Sequence, residues 1–215
     1  MDTTNWLDNP NEWQFIDLSN GYIYPWITMD SLLFLNTLDV SEWTVFEFGT
    51  GASTLWWANK CKRIVTLDVN PVWYEKVRRY AQEKGLKNIE FHLVDLTKHP
   101  LRETACSMYL DVLRYQEQKF DAVIVDASFR DEASILADKH IKEQGWIIAD
   151  NWKQQGIWDC LLCDPYLQKR YSVEVYKQSP IPDPENHPWI WNGNEDCFFK
   201  IKEGHPHWQT AFWRI

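Results

Sequence analysis

Short runs of β-branched and aromatic residues alternate along this chain with longer stretches in which apolar residues recur every three or four positions. The first pattern predicts strands covered on both faces, the second amphipathic helices. Thr44-Val-Phe-Glu-Phe48 reads as a first central strand, and Gly49-Thr-Gly51 separates it from a helix over about 53–60. Arg63 to Leu67 reads as a second strand. The helix expected over 71–83 carries Pro71 at its tolerated first position and meets Gly85 at its stop. Further strands are expected at 89–94, 122–125 and 146–149, with helices over 101–116, 131–142 and 154–169. Val173 to Tyr176 reads as a sixth strand. Beyond it, 197–201 and 210–214 both carry strand patterns and are expected to pair as a hairpin; the pattern does not say which is the final antiparallel strand. Ahead of the first strand, Met29 to Leu38 predicts an amphipathic helix with Thr28 at its cap. Such alternation predicts an α/β, doubly wound domain, a mostly parallel sheet with helices on both faces.

Candidate chemistry collects where the strands end. The turn Glu47-Phe-Gly49-Thr50-Gly51-Ala-Ser53-Thr54 joins a strand to a helix. Glycines there permit a sharp turn and close approach of a ligand to the main chain, and the helix start offers free N–H groups. A lone Gly-x-Gly is also what any tight strand-to-helix turn needs. The spacing of acids adds more. The second strand ends at Asp68, where a carboxylate can accept both hydroxyls of a ribose. The third ends at Asp95, placed to accept an adenine amino proton, and the fourth at Asp126. One such acid is commonly a helix cap; four in succession, counting Glu47, point to a ligand site beyond the carboxyl ends of the strands. The third glycine of a dinucleotide fingerprint is absent, Thr54 standing there, and Glu47 would repel a pyrophosphate. An adenosyl ligand with a zwitterionic tail, whose ammonium Glu47 binds directly or through water, fits better than a dinucleotide.

The set Glu47-x-Gly49-x-Gly51-x-Ser53, Asp68, Asp95 and Phe120-Asp-Ala-Val-Ile-Val-Asp126 resembles the successive motifs of class I S-adenosylmethionine-dependent methyltransferases, over roughly residues 44 to 151. The resemblance implies a seven-stranded sheet with a reversed last strand and a cofactor site lined by Glu47, Gly49, Thr50, Gly51, Ser53, Asp68 and Asp95. Ile147-Ile-Ala-Asp150-Asn151 further resembles the fifth-strand end of catechol and caffeoyl-CoA O-methyltransferases. There an Asp-Asn pair and the fourth-strand Asp hold a divalent cation, which here implies Mg²⁺ or Mn²⁺ on Asp126, Asp150 and Asn151. Capping of the following turn is the alternative use of Asp150 and Asn151. The family's candidate base, a Lys three residues after the fourth-strand Asp, is Phe129 here, and Arg130 beside it stays charged. Asp126 is then the candidate base. The expected reaction is O-methylation of a small hydroxylated molecule. N-methylation of an amine or protein side chain, or adenosyl binding without catalysis, are the alternatives.

Composition narrows the acceptor. A net charge of −9 with scattered Lys and Arg, Arg78-Arg79 being the nearest approach to a patch, disfavours nucleic acid. Fourteen Trp suggest an aromatic pocket in addition to core packing, with 21–28 and the Pro-rich 179–195, holding His187, Trp189 and Trp191, as covering loops. His187 is the one histidine considered as a base, although a surface role is commoner. Five irregularly spaced cysteines give no disulfide framework, and Cys160-x-x-Cys163 lacks a second ligand pair of zinc-site spacing. With no secretory signal and no apolar run of membrane length, the expectation is a cytoplasmic protein away from membranes. One domain is expected, with 1–40 a covering segment, 41–178 the cofactor-binding core and 179–215 a long loop with the C-terminal strands. Oligomeric state is not legible.

Overall fold

The computed structural model describes residues 16–17, 22–23, 25, 27–98, 101–152, 163–179 and 205–215. A two-residue ladder, β1 (Ile16–Asp17) with β2 (Tyr22–Ile23), precedes helix α1 (Met29–Leu35). The domain then runs β3 (Thr44–Phe48), α2 (Ala52–Lys60), β4 (Arg63–Asp68), α3 (Pro71–Glu83), β5 (Ile89–Leu93), α4 (Arg102–Arg114) and β6 (Phe120–Val125). It continues through α5 (Arg130–His140), β7 (Ile141–Ala149), α6 (Cys163–Gln168), β8 (Val173–Gln178) and β9 (His205–Arg214). Seven strands form one sheet in the order β5-β4-β3-β6-β7-β9-β8. β9 alone runs against its neighbours, inserted between β7 and β8. The expected seven-stranded, mostly parallel sheet with a reversed last strand is the architecture observed.

Side-chain alternation divides the core between the two faces of this sheet. Phe46, Phe48, Val65, Leu67, Val123, Val125 and Ile147 pack with Tyr109 and Leu113 of α4 and Ala133 and Ala137 of α5. Val45, Ile64, Ala122, Ile124 and Ile148 face the other way, onto Leu32 and Leu35 of α1 and Trp56 and Trp57 of α2. Trp56, Trp57 and Trp213 are among the largest fully buried side chains, so these tryptophans build core. The same alternation puts Glu47, two positions from Val45, on the α2 side, where an aliphatic residue would be expected. Leu55 of α2 packs on Val77 and Ala81 of α3, which fixes how α3 covers the β4–β5 side of the sheet.

Three local readings change. Thr28 does not cap α1 with its side chain; the hydroxyl meets Ser31 Oγ at 2.6 Å and the Tyr176 carbonyl at 3.3 Å, spanning to β8. β7 begins at Ile141, where a helix was expected to continue. Ile141 pairs with Phe120, the register then shifts, and Trp146 pairs with Ala122. Gln144 at φ 64° and Gly145 absorb that shift, and a Cβ on Gly145 would meet the Asp121 carbonyl at 2.9 Å. Its polar Lys-Glu-Gln sequence hides this part of the strand from any hydrophobic pattern. The antiparallel strand expected at 210–214 is β9, and its sheet partners are β7 and β8. The hairpin partner expected at 197–201, the covering loops with His187, Trp189 and Trp191, and the early part of the 154–169 helix lie outside the described residues. No described helix is long and apolar enough to cross a membrane.

Gly49 holds the turn after β3 at φ 101°, and a Cβ there would lie 2.3 Å from the Asp126 carbonyl oxygen. The turn is therefore pressed onto the end of β6 with no room for a side chain. Gly49→Ala is expected to cost roughly 3 kcal/mol or more, combining positive-φ strain with backbone overlap. Denaturant unfolding of the purified variant measures this; a loss below about 1 kcal/mol would show that the turn relaxes away from β6.

Candidate functional site

β3 lies between β4 and β6, and the chain winds outward from it in both directions, which makes the carboxyl ends of these strands the switch point of the sheet, where ligands of open α/β folds bind. The strand ends are tied in register: Gly49 N–H donates to the Leu67 carbonyl at 2.8 Å and Asp126 N–H to the Phe48 carbonyl at 2.9 Å. From that frame the turn is held by side chains of its neighbours. Thr50 N–H donates to Asp68 Oδ2 at 2.9 Å, and Trp73 Nε1, on the first turn of α3, donates to the Thr50 carbonyl at 2.5 Å. Gly51 N–H donates to Thr54 Oγ1 at 2.9 Å. This is why Thr suits the position where a dinucleotide fingerprint would have its third glycine.

Glu47 has no exposed surface. Its Oε1 accepts from Ser53 Oγ at 2.5 Å, and its Oε2 accepts from Thr66 Oγ1 at 2.8 Å and also from Thr54 Oγ1. Three hydroxyls from α2 and β4 thus replace the water that burial removed. Burial still dominates and pushes the Glu47 carboxyl up to about 7, against the lowering effect of the hydroxyls. Ser53, an expected cofactor contact, spends one hydrogen bond on Glu47, and Thr54 and Thr66 complete a buried polar layer beneath the turn.

Asp68 ends β4 almost fully buried. Its Oδ1 accepts from Val69 N–H and Asn70 N–H, both at 2.7 Å, while Oδ2 takes Thr50 N–H. Burial pushes this carboxyl up to about 6, with the backbone donors opposing the shift. Asp95 stands in a different setting. It accepts from Thr97 N–H and Thr97 Oγ1, and Lys98 Nζ lies 3.3 Å from Oδ2. These hydrogen bonds, led by the Thr97 hydroxyl, hold its carboxyl below the ordinary range.

Asp126, Asp150 and Asn151 come together at the ends of β6 and β7, as expected, but they do so around a side chain. One Arg130 nitrogen donates to Asp126 Oδ1 at 3.0 Å and reaches Asn151 Oδ1 at 3.4 Å; the other donates to the Asp150 main-chain oxygen. Phe129 at φ 58° and Asn151 at φ 53°, both left-handed, turn the chain so that these groups converge. Asp150, buried, accepts from Thr210 Oγ1 of β9 at 2.6 Å. Burial and then the Asp126 charge push its carboxyl up from the ordinary range. Burial also raises Asp126, against the lowering pull of Arg130. The Asp126 side chain retains about 30% exposure, and its Oδ2 makes no hydrogen bond among the described residues.

This arrangement does not fit a divalent ion. Mg²⁺ requires deprotonated oxygens at about 2.0–2.1 Å. Here a guanidinium already holds Asp126 Oδ1 and Asn151 Oδ1, Thr210 holds the Asp150 carboxyl, and a second cation about 4 Å from the guanidinium would be repelled by about 4 kcal/mol per unit charge at an effective dielectric near 20. The expected cation on Asp126, Asp150 and Asn151 is therefore unsupported, and the reason is Arg130. In the sequence alone Arg130 stands out only as a poor base. Its i, i+4 spacing from Asp126 was the available signal. Thr66 and Thr210 gave none, because their partners come from other strands.

Comparison with known proteins agrees with this geometry. Residues 47–134 match the family model described as a methyltransferase domain. No curated protein matches the chain in sequence. A precorrin 8w decarboxylase from Methanobacterium thermoautotrophicum superposes with a TM-score of 0.57 at 15% identity, over 86% of this chain and 89% of that one. An S-adenosylmethionine-dependent O-methyltransferase from Thermotoga maritima gives 0.56 at 15%, over 89% and 65%. An N-methyltransferase from Bradyrhizobium japonicum gives 0.53 at 16%, over 86% and 92%. Residues 47–134 thus match a methyltransferase domain, and the fold is shared with methyltransferases whose named chemistry differs between O- and N-methylation.

The buried Glu47 carboxyl has a measurable consequence. Its folded value, about 7, lies above the ordinary 4.5, so its contribution to stability is full below about pH 4.5 and is lost as pH rises through 7. The size is on the order of 3 kcal/mol. Asp68 and Asp150 shift the same way, so the wild type loses stability from pH 5 to 8. Glu47→Gln is expected to flatten that slope without abolishing it, measured by denaturant unfolding at pH 5, 6.5 and 8. An unchanged slope would mean that Glu47 does not titrate in this window.

Proposed function

We propose that this chain methylates a hydroxyl group on a small molecule, using S-adenosylmethionine as donor and Asp126 as base. The observation that carries the reading is the convergence of Asp68, Asp126 and the Gly49–Gly51 turn at the carboxyl ends of the strands beside β3. Asp68, fixed by three backbone N–H groups, accepts the ribose hydroxyls, and Asp95 accepts the adenine amino group. The Gly49-Thr50-Gly51 main chain and Ser53 line the amino-acid end. Glu47 has no exposed surface, so its negative charge reaches the ammonium through the Ser53 and Thr54 hydroxyls or a bridging water.

The cofactor supplies a methyl group on a sulfonium, already activated, so this chain's residues have two tasks: to hold the acceptor oxygen in line and to remove its proton. Asp126 is suited to the second. It is part-exposed at the strand end, one oxygen is occupied by Arg130, and the other is available to a hydroxyl. With S-adenosylmethionine bound, Asp126 Oδ2 would take the acceptor hydroxyl's proton as the methyl group is transferred to its oxygen, the thioether being the leaving group. The net charge of −9 and scattered basic residues favour a small acceptor over nucleic acid.

Two substitutions separate binding from chemistry. Asp68→Ala is expected to weaken S-adenosylhomocysteine binding about tenfold or more in calorimetry, the loss of hydrogen bonds to a charged acceptor. Asp126→Asn is expected to keep cofactor affinity within about threefold while lowering turnover about 100-fold or more. Turnover would be read by transfer of labelled methyl to a panel of phenols, alcohols and amines. Binding of NAD with none of S-adenosylhomocysteine would overturn the cofactor assignment; methylation of amines alone would overturn the acceptor class.

A further inference from the structure

Of the side chains expected to hold a divalent cation, Asp126 and Asn151 hold a guanidinium instead, which also takes the Asp150 main-chain oxygen, and this has a consequence for the acceptor site. We propose that Arg130 is a built-in replacement for that cation: it neutralises and orients the Asp126, Asp150 and Asn151 cluster, making methyl transfer by this chain independent of divalent metal. The inference rests on the functional reading above and specifies how its base is held.

The geometry carries it. The guanidinium reaches the Asp126 carboxylate at 3.0 Å, the Asn151 amide oxygen at 3.4 Å and the Asp150 main-chain oxygen, so one planar cation spans three donors from the ends of β6 and β7. Arg130 is itself buried and sits on the first turn of α5, immediately after the left-handed Phe129. A guanidinium fork suits such a position because its donors are fixed in a plane and its charge is permanent. A metal ion in the same place would bind an acceptor hydroxyl directly and lower its pKa. Buried Arg130 acts through Asp126 instead. It fixes one carboxylate oxygen and leaves the second for the acceptor proton, which makes Arg130 a positioning residue.

The test uses the full chain and Mn²⁺ alone as probe, read by electron paramagnetic resonance, with S-adenosylhomocysteine calorimetry run in parallel. The wild type is expected to show no stoichiometric Mn²⁺ binding up to about 1 mM and the same S-adenosylhomocysteine affinity with or without excess chelator. Arg130→Ala vacates the space between the three donors and is expected to gain one Mn²⁺ site, lost again in the Arg130→Ala, Asp150→Ala double variant. Arg130→Lys, which keeps the charge, is expected to gain none. One Mn²⁺ bound by the wild type and lost in Asp150→Ala overturns the proposal, and that arm decides even where Arg130→Ala does not fold. A folded Arg130→Ala that binds S-adenosylhomocysteine but no Mn²⁺ also overturns it. Failure of the wild type to bind S-adenosylhomocysteine would refute the cofactor reading, while the Mn²⁺ results would still decide the role of Arg130.

Discussion

A carboxylate without exposed surface sits under the turn from which the site is hung. Glu47 lies on the face of β3 that its strand neighbours fill with aliphatic side chains, and an isolated charge there would cost several kcal/mol. Ser53 and Thr54 from α2 and Thr66 from β4 make the position tenable. Those hydroxyls are placed by two registers: the start of α2 against β3 for Ser53 and Thr54, and β4 against β3 for Thr66. The polar layer thus forms only when the turn, helix and both strands are correctly seated. Thr54 closes the arrangement by also accepting from Gly51 N–H, so the buried acid and the main chain above it are ordered together.

The second acidic cluster solves a similar problem with charge. Asp126 and Asp150 approach each other at the ends of adjacent parallel strands, where like charges raise the cost of ionising both. Arg130 offsets one of them and Thr210 supports the other. The result is two carboxyl groups that resist ionising together, set against one guanidinium. Thr210 also accepts from Thr28 N–H at 3.5 Å, and Thr28 meets the carbonyl of Tyr176. The segment before α1 is therefore joined to the site acids through the reversed strand β9. Insertion of β9 between β7 and β8 matters for the site for this reason: it delivers the hydroxyl that Asp150 needs.

Periodicity and turn residues alone specified most of the fold. The strand at 44–48 and the helix at 71–83 stand as expected, because an apolar run ending at Gly49 and a Pro–Gly bracket around an amphipathic stretch each have one reading. The acids at the strand ends were legible for the same reason: strand limits place Asp68, Asp95 and Asp126 on one edge of a parallel sheet whatever the loops do. The sequence also marked Gly49 as the turn residue, while the close approach of the Asp126 carbonyl that leaves it no room for a side chain is tertiary. Tertiary structure decided the rest. The early part of β7 is polar and becomes a strand only because β6 offers it partners. β9 finds its place between two strands distant in sequence, which no local pattern encodes. The i, i+4 spacing of Arg130 from Asp126 hinted at what occupies the space between Asp126, Asp150 and Asn151, but spacing alone does not decide it. The same three residues suit an ion or a guanidinium, and the choice depends on the left-handed turns at Phe129 and Asn151 that bring Arg130 among them.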